Sequence, residues 1–265
     1  FTLLDEKPMI VNPANPVDPG RVLGRIEFDH VWFAYQGEDW ILKDVSFTVE
    51  AGSKVAFVGE TGAGKSSILN LIGRYYDIQK GRITIDGIDI REIDKDRLRS
   101  AIGQVQQDVF IFTGDISSNI RLRREDITDE DIVRAAKHVN ADDFISRLPG
   151  GYHEPVTERG STLSAGQRQL LSFARTLAYN PAILVMDEAT ANIDTETELL
   201  IQEALEKLMQ GRTTIMVAHR LSTIQHADKI IVMHKGEVRE VGTHQELLLA
   251  DGIYKKLYEL QLHAE

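Results

Sequence analysis

The fold is decided by the stretch Lys54-Val55-Ala56-Phe57-Val58-Gly59-Glu60-Thr61-Gly62-Ala63-Gly64-Lys65-Ser66. Its first five residues form a short apolar run typical of a buried strand, and three closely spaced glycines follow. From residue 66 to residue 76 the apolar side chains recur at the three- and four-residue spacing of a helix. A strand, a glycine-rich loop and a helix in this order predict a loop whose backbone N–H groups and helix N-terminus surround phosphate oxygens.

The residues of this phosphate-binding loop have distinct predicted roles. Lys65 is expected to reach the β- and γ-phosphates of a nucleotide, and the hydroxyl of Ser66 to ligate Mg²⁺. A plain glycine turn is the alternative, and the flanking strand and helix disfavour it because they supply the context that the pattern requires. The predicted phosphate contacts are Gly59, Glu60, Thr61, Gly62, Ala63, Gly64, Lys65, Ser66 and Ser67.

A second apolar run, Ile183-Leu184-Val185-Met186, ends in two carboxylates, Asp187 and Glu188. Ligands of open α/β sheets bind at the carboxyl ends of the strands. We therefore expect Asp187 to hold the Mg²⁺ shell and Glu188 to orient or deprotonate the attacking water. Taken alone, an Asp-Glu pair after a strand is more often the solvated start of a helix. The phosphate-binding loop upstream favours the catalytic interpretation.

The distribution of apolar runs predicts an α/β fold. Four runs without polar alternation are separated by helical patterns, which indicates a parallel sheet covered on both faces. These runs are 54–58, 183–186, 213–217 and 229–233. Two further strands are predicted near the N-terminus, at 25–35 and 45–49, and residues 116–148 are charge-rich and helical in pattern.

Composition narrows the class of protein. The chain has 265 residues, of which 42% are hydrophobic and 27% charged, as is ordinary for a folded protein. The net charge of -11 makes nucleic acid an unexpected partner, because duplex-binding domains carry a basic stripe. The chain has no cysteine for a disulfide or a zinc–thiolate site. Its apolar stretches are far shorter than the roughly 18 residues of a membrane span, so we expect a soluble folded chain.

The motif that narrows the family is Leu163-Ser164-Ala165-Gly166-Gln167-Arg168-Gln169. Ser164 and Gln167 have the spacing of a capping box, so the motif opens a helix whose free N–H groups can face an anion. Alone, the motif would indicate only a well-capped helix. Together with the phosphate-binding loop upstream and Asp187 downstream, the ordered set resembles the ATP-binding cassette family over about residues 25–260.

The resemblance implies roles for further residues. Tyr35 matches the family's adenine-stacking aromatic residue, and the alternative is a strand aromatic that packs the sheet. Gln107 matches a glutamine that contacts Mg²⁺ and the attacking water, and His219 matches a histidine that contacts the γ-phosphate. A lone histidine is ordinarily a core or surface residue, and its position at a strand end is what favours the match. The implied contacts of the signature motif with ATP are Ser164, Gly166 and Gln167.

The resemblance also implies an architecture. We expect a phosphate-binding core with a mostly parallel sheet, a small antiparallel N-terminal β-subdomain, and a helical signature subdomain over about 115–172. Residues 24–265 would form the nucleotide-binding domain. The proline-rich segment 1–23 would be a linker from a transmembrane domain.

The implied activity is ATP hydrolysis that powers a membrane exporter of the multidrug or lipid kind. Two such domains would face each other head to tail, with ATP and Mg²⁺ between them. The region near Gln107 and Glu158 would contact the exporter's transmembrane domains at the cytoplasmic face of the membrane. The rival hypotheses are a soluble ATPase of the DNA-repair or ribosome-associated kind, and a nucleotide sensor in which Glu188 is idle.

Two departures from the family pattern bear on whether the second nucleotide-binding domain is identical to this one. Ala165 stands where the signature motif normally has glycine, and Asn192-Ile193 depart from the usual dimer loop, which occupies 191–194 here. Such departures beside an intact Asp187-Glu188 pair resemble one subunit of a heterodimeric exporter. The alternative is a homodimer in which the alanine is simply tolerated.

Overall fold

A computed structural model describes residues 8–105, 109–122, 124–157, 160–187, 195–217 and 224–262. The strands are β1 (Ile26–Ala34), β2 (Trp40–Val49), β3 (Lys54–Val58), β4 (Lys80–Ile85), β5 (Ile88–Asp89), β6 (Ile102–Val105), β7 (Gly114–Asp115), β8 (Pro155–Val156), β9 (Ile183–Asp187), β10 (Thr213–Val217), β11 (Lys229–His234) and β12 (Glu237–Gly242). The helices are α1 (Lys65–Ile72), α2 (Lys95–Ser100), α3 (Ile116–Arg121), α4 (Asp129–His138), α5 (Asp142–Ile145), α6 (Ala165–Ala178), α7 (Thr195–Met209), α8 (His244–Leu249) and α9 (Ile253–Leu262).

The predicted parallel sheet is confirmed as a six-stranded sheet in the order β12-β11-β3-β10-β9-β6. Its strands pair in parallel, apart from the antiparallel pair of β11 and β12. Val217 of β10 is in register with Phe57 of β3 and with Asp187 of β9. The carboxyl ends of these three strands therefore meet at one edge of the sheet.

The central strands read as unbroken apolar runs because both faces of the sheet are covered. Along β3, Val55 and Phe57 belong to one core cluster, whereas Ala56 and Val58 belong to the other. Neighbouring strands follow the same alternation. One cluster lies towards β1 and α1, and the other packs against the helices, including α6 and α7. Burial on both faces of this kind is typical of a parallel sheet.

A separate four-stranded antiparallel sheet has the order β2-β1-β4-β5. Its second strand begins at Trp40 rather than at Val45 as predicted, because the pairing with β1 shifts register around Asp44, whose φ is 54°. That irregularity breaks the polar alternation from which a strand is predicted. Strands β4 and β5 were not predicted, since β4 is stabilised by pairing with the distant strand β1, as in Ile26 with Ile85.

The helices that lie between β6 and β9 in the chain are grouped in space around α6, the longest of them. The stretch predicted to be helical, 116–148, contains α3, α4 and α5, and Thr128 and Asp131 form the predicted capping box of α4. Helix α1 ends at Ile72, before the predicted end at 76, because Gly73 caps it and Arg74 then turns with φ of 47°. Within the described ranges, no helix is both long and apolar enough to cross a bilayer.

The N-terminal segment lies against this fold. Val17 pairs with Ile93 in a parallel bridge, and its N–H donates to the Glu92 carbonyl at 2.8 Å. The carboxylate of Asp86 accepts hydrogen bonds from the consecutive N–H groups of residues 23–25. These contacts are made by residues 17–25. The boundary between linker and domain, which we placed between residues 23 and 24, stays a prediction.

Candidate functional site

The glycine loop after β3 makes close backbone approaches that require glycine. A Cβ atom at Gly59 would lie 2.2 Å from the carbonyl oxygen of Met233 in β11. One at Gly64 would lie 2.7 Å from Leu42 in β2, and Gly64 also has φ of 100°, which an L side chain rarely adopts. The loop is therefore held against β2 and β11 at the carboxyl end of β3.

Helix α1 begins directly at this loop without a side-chain cap. Its N-cap, Gly64, makes no side-chain hydrogen bond to the first turn. In contrast, side chains cap the N-termini of α2, α3, α4, α6 and α8. The first N–H groups of α1 thus lack the side-chain acceptor that most other helices of this chain supply. Together with the helix dipole they suit an anion such as a phosphate.

Lys65 brings a cation into the loop. Its side chain is 6% exposed, and Nζ donates to the carbonyl oxygens of Gly59 at 2.6 Å and Glu60 at 2.9 Å. Burial lowers the pKa of Lys65, and the negative charge of Asp187 partly opposes that shift. The ammonium group therefore lies within the loop, close to the carboxylate at the end of β9.

Ser66 and Asp187 bring two oxygen ligands together. The hydroxyl Oγ of Ser66 donates to Oδ2 of Asp187 at 3.5 Å, across 121 residues of sequence. Hydroxyl and carboxylate oxygens suit Mg²⁺, which is typically bound by one or two protein oxygens together with phosphates and waters. In the described part of the chain, no cluster of three or more acidic or histidine side chains could hold a metal by itself. The residues present therefore fit a Mg²⁺ ion that is shared with a phosphate.

Tyr35 lies beside the loop just after β1. Its ring makes edge contacts with Phe33 and Tyr76, at centroid distances of 4.7 Å and 4.9 Å. Its hydroxyl is 3.0 Å from Oγ of Ser67, and 46% of the residue is exposed. The ring thus packs against its neighbours and also presents surface next to α1. Tyr76 belongs to this aromatic group and was missed, because its part in the group depends on the fold.

The signature motif begins α6 with the predicted capping box. Ser164 Oγ accepts from the N–H of Gln167 at 3.2 Å, and Gln167 Oε1 accepts from the N–H of Ser164 at 2.9 Å. Gly166 is buried, and a Cβ there would lie 2.1 Å from Cγ2 of Thr197 on α7. Among the described residues, no hydrogen bond or ion pair joins 164–167 to the loop at 59–67. The structure does not bring these two motifs together within one chain.

Several predicted site residues lie outside the described residues, namely Gln107, Glu158, Glu188, His219 and the segment 191–194. Their neighbours are described. Asp187 immediately precedes Glu188, and β10 ends at Val217, two positions before His219. Strand β6 ends at Val105, shortly before Gln107. The roles of these residues stay predictions.

Comparison with known families gives a single consistent result. The family model described as "ABC transporter" matches residues 42–191. The chain is 53% identical over 263 residues to "Probable multidrug resistance ABC transporter ATP-binding/permease protein YheH" of Bacillus subtilis (strain 168). That match covers 98% of this chain and 38% of the relative.

A second relative and a solved structure agree with this. "Uncharacterized ABC transporter ATP-binding protein YknV" of the same organism is 51% identical, and the match covers 98% of this chain and 43% of the relative. A solved structure titled "Structure of a bacterial Atm1-family ABC exporter with ATP bound" is 43% identical with a TM-score of 0.90, over 98% of this chain and 46% of that one. The chain thus spans less than half the length of the relatives it matches.

Proposed function

The chain belongs to the ABC transporter family, and from that premise we propose that it binds ATP and hydrolyses it to power a membrane exporter. The observation that carries the proposal is the meeting of Ser66 and Asp187 beside the uncapped start of α1. Oxygen ligands, a buried ammonium and free helix N–H groups together suit a metal-bound polyphosphate. The names of the relatives, which join ATP-binding to permease, favour an exporter over a DNA-repair or ribosome-associated ATPase.

In this proposal each loop residue has one task in binding. Residues 59–64 offer backbone N–H groups to the phosphates, and Lys65 supplies positive charge for the β- and γ-phosphates. Tyr35 stacks on the adenine ring. Ser66 and Asp187, with Gln107, hold Mg²⁺, which when bound neutralises phosphate charge.

We assign the hydrolytic step mainly to residues that follow β9 and β10 in the chain. Glu188 accepts a proton from the attacking water as that water's oxygen bonds to the γ-phosphorus, and the bond to the β,γ-bridging oxygen breaks. Gln107 orients the water, and His219 contacts the γ-phosphate. Lys65 stabilises the charge that develops on the transferring group. These four roles are assigned to side chains of the chain that holds the ATP.

We further propose that the signature motif serves a second chain. Among the described residues no hydrogen bond or ion pair joins 164–167 to the phosphate-binding loop, so we assign Ser164, Gly166 and Gln167 to ATP that is held by a partner nucleotide-binding domain. A head-to-tail pair then encloses two nucleotides. The pair of domains closes on ATP and reopens after hydrolysis, and this cycle provides the work of transport.

We assign the region around Gln107 and Glu158 as the surface that contacts the membrane partner. Phe110 and Phe112, which follow Gln107, are 49% and 50% exposed and contact each other at 4.7 Å. An exposed aromatic pair suits a protein partner that buries it. We assign that partner to the exporter's transmembrane domains, so that the chain works at the cytoplasmic face of the membrane. Segment 1–23 is assigned as the linker and 24–265 as the nucleotide-binding domain.

Substitution of Lys65 tests the proposal. Lys65→Ala removes the cation of the loop and is expected to weaken ATP binding about 100-fold, the effect of losing charge-assisted hydrogen bonds to two phosphates. Equilibrium titration with a fluorescent ATP analogue measures this. Lys137→Ala, on the exposed side of α4, is the matched control and should bind ATP as the unaltered chain does. Unchanged affinity in Lys65→Ala would overturn the assignment of the loop.

A further inference from the structure

Arg175 connects α6 to the segment that follows Gln107. Its Nε donates to the carbonyl oxygen of Asn119 in α3 at 2.8 Å. Its Nη1 donates to the carbonyl oxygen of Phe110 at 3.1 Å. One guanidinium group therefore joins three parts of the chain, namely α6, α3 and the loop before β7.

Asn119 fastens the same loop from the side of α3. Its side chain is 1% exposed, and Oδ1 accepts from the N–H of Phe112 at 2.8 Å. Its Nδ2 donates to the carbonyl oxygens of Phe112 at 2.9 Å and Asp115 at 3.0 Å. Between these anchors, Ile111 is fully buried in the core. The backbone of residues 110–115 is thus held by two side chains and one core contact.

Arg175 is a partly buried cation whose hydrogen bonds go to neutral groups. Burial lowers the pKa of Arg175, because the charged form loses solvation. In the described part of the chain no carboxylate pairs with it, and its buried Nη2 has no hydrogen-bond partner. Both of its acceptors are neutral carbonyls. A cation desolvated without a carboxylate partner costs free energy, and its two hydrogen bonds fix where α3 and the loop before β7 lie relative to α6.

We propose that Arg175 is a positioning residue for ATP hydrolysis, which ties the helix of the signature motif to the segment that follows Gln107. This inference rests on the proposed function. Helix α6 carries Ser164 and Gly166 at its start, and Phe110 lies three positions after Gln107. Because the guanidinium joins them, the motif that recognises the partner's ATP and the chain that leads to the metal-binding glutamine move together. A small displacement of a positioned group can lower turnover by about 100-fold.

Four variants test this role. Arg175→Met removes both hydrogen bonds, Arg175→Lys keeps the charge and can keep one of them, and Asn119→Ala loosens the same loop without changing Arg175. Thr176→Val is the matched control. In the part of the chain that the structure describes, its hydroxyl bonds within α6, to the Ser172 carbonyl, and valine preserves the side-chain shape. Maximal ATP turnover, the dissociation constant of ATP and the thermal midpoint are measured for each variant.

We expect Arg175→Met and Asn119→Ala to lower maximal turnover about tenfold or more, with ATP affinity changed less than about threefold. Arg175→Lys should lie between Arg175→Met and the unaltered chain, and Thr176→Val should match the unaltered chain. Amide hydrogen exchange of the peptide 105–115 gives an independent readout. Mg-ATP should slow exchange there in the unaltered chain, and this slowing should be lost in Arg175→Met.

The outcomes separate the two proposals. Turnover by Arg175→Met equal to that of the unaltered chain would overturn the positioning role alone. Turnover that falls only in proportion to the folded fraction would also overturn it, in favour of a structural role. If Arg175→Met does not fold, turnover by Arg175→Lys and Asn119→Ala decides, together with exchange of the peptide 105–115 in those two variants. An unaltered chain that binds ATP and never hydrolyses it, even with a partner domain that has an unaltered signature motif, would contradict the proposed function itself.

Discussion

At the scale of single residues, the site depends on oxygen and nitrogen atoms that converge from distant positions. Ser66 and Asp187 are within hydrogen-bond distance, and Lys65 donates to the loop carbonyls while the charge of Asp187 acts on its ammonium group. Burial lowers the pKa of the Lys65 ammonium, and the negative charge of a bound polyphosphate would oppose that shift. Binding and chemistry are then assigned to different side chains, since Glu188 is the proposed base.

Glu188→Gln separates those two functions. The amide has the shape of the carboxylate and accepts no proton at neutral pH, so turnover should fall by about 10² to 10⁴ while ATP affinity stays within about threefold. Phosphate release at saturating Mg-ATP and equilibrium binding of ATP measure the two quantities. Glu206→Gln, on an exposed part of α7, is the control and should hydrolyse normally. Retained turnover in Glu188→Gln would transfer the role of base to another group.

At the scale of elements, the close contact of α6 with α7 explains a glycine in the signature motif. Gly166 leaves no room for a methyl group, because Cγ2 of Thr197 would lie 2.1 Å from it. The helix that carries the proposed recognition motif is therefore set directly on α7, which follows the 191–194 segment. Glycine here serves packing as well as any approach to a phosphate.

Gly166→Ala should destabilise the chain, because overpacking costs about 1–3 kcal/mol and exceeds the gain in helix propensity near a helix start. Thr197→Ser removes the methyl group that would clash. In that background the same glycine-to-alanine change should be neutral or stabilising. Urea denaturation of the four chains of this double-mutant cycle measures the free energies of unfolding. An equal effect of Gly166→Ala in both backgrounds would contradict the contact.

At the scale of the whole molecule, the separation of the two ATP-binding motifs suggests that the complete site needs a second chain. The exposed Ala165 follows the N-cap of α6, at the surface that would meet the partner's γ-phosphate. A methyl group there keeps a phosphate farther from the helix N-terminus than glycine does. We therefore expect that this chain is suited to a non-identical partner.

This chain alone should form dimers poorly with Mg-ATP, and ATP turnover should rise when a partner domain with an unaltered signature motif is added. Sedimentation velocity of Glu188→Gln, which preserves bound ATP, measures self-association. Adding Ala165→Gly to that variant should increase the dimer fraction if the methyl group is the obstacle. Efficient ATP-driven dimerisation of the chain with alanine, with two equally active sites, would support a homodimer instead.

The features that depend on local chemistry could be predicted from the order of the residues. The strand, glycine loop and helix at 54–72 follow from residue spacing, and so do the capping boxes at Thr128 and Ser164. The parallel sheet follows from apolar runs that are buried on both faces. In each case, residues within a few positions of one another carry the signal, which is why a linear pattern suffices.

The features that depend on distant pairing became visible in the folded chain. Strand β4 exists because it pairs with β1, and its own sequence carried too weak a signal to predict it. The 3.5 Å contact of Ser66 with Asp187 requires β3 and β9 to end at one edge of the sheet with β10 between them. Arg175 reaches Phe110 only because α6 packs on that loop. Such contacts are set by how the elements pack, since the residues involved are far apart in the chain and no local pattern encodes their distance.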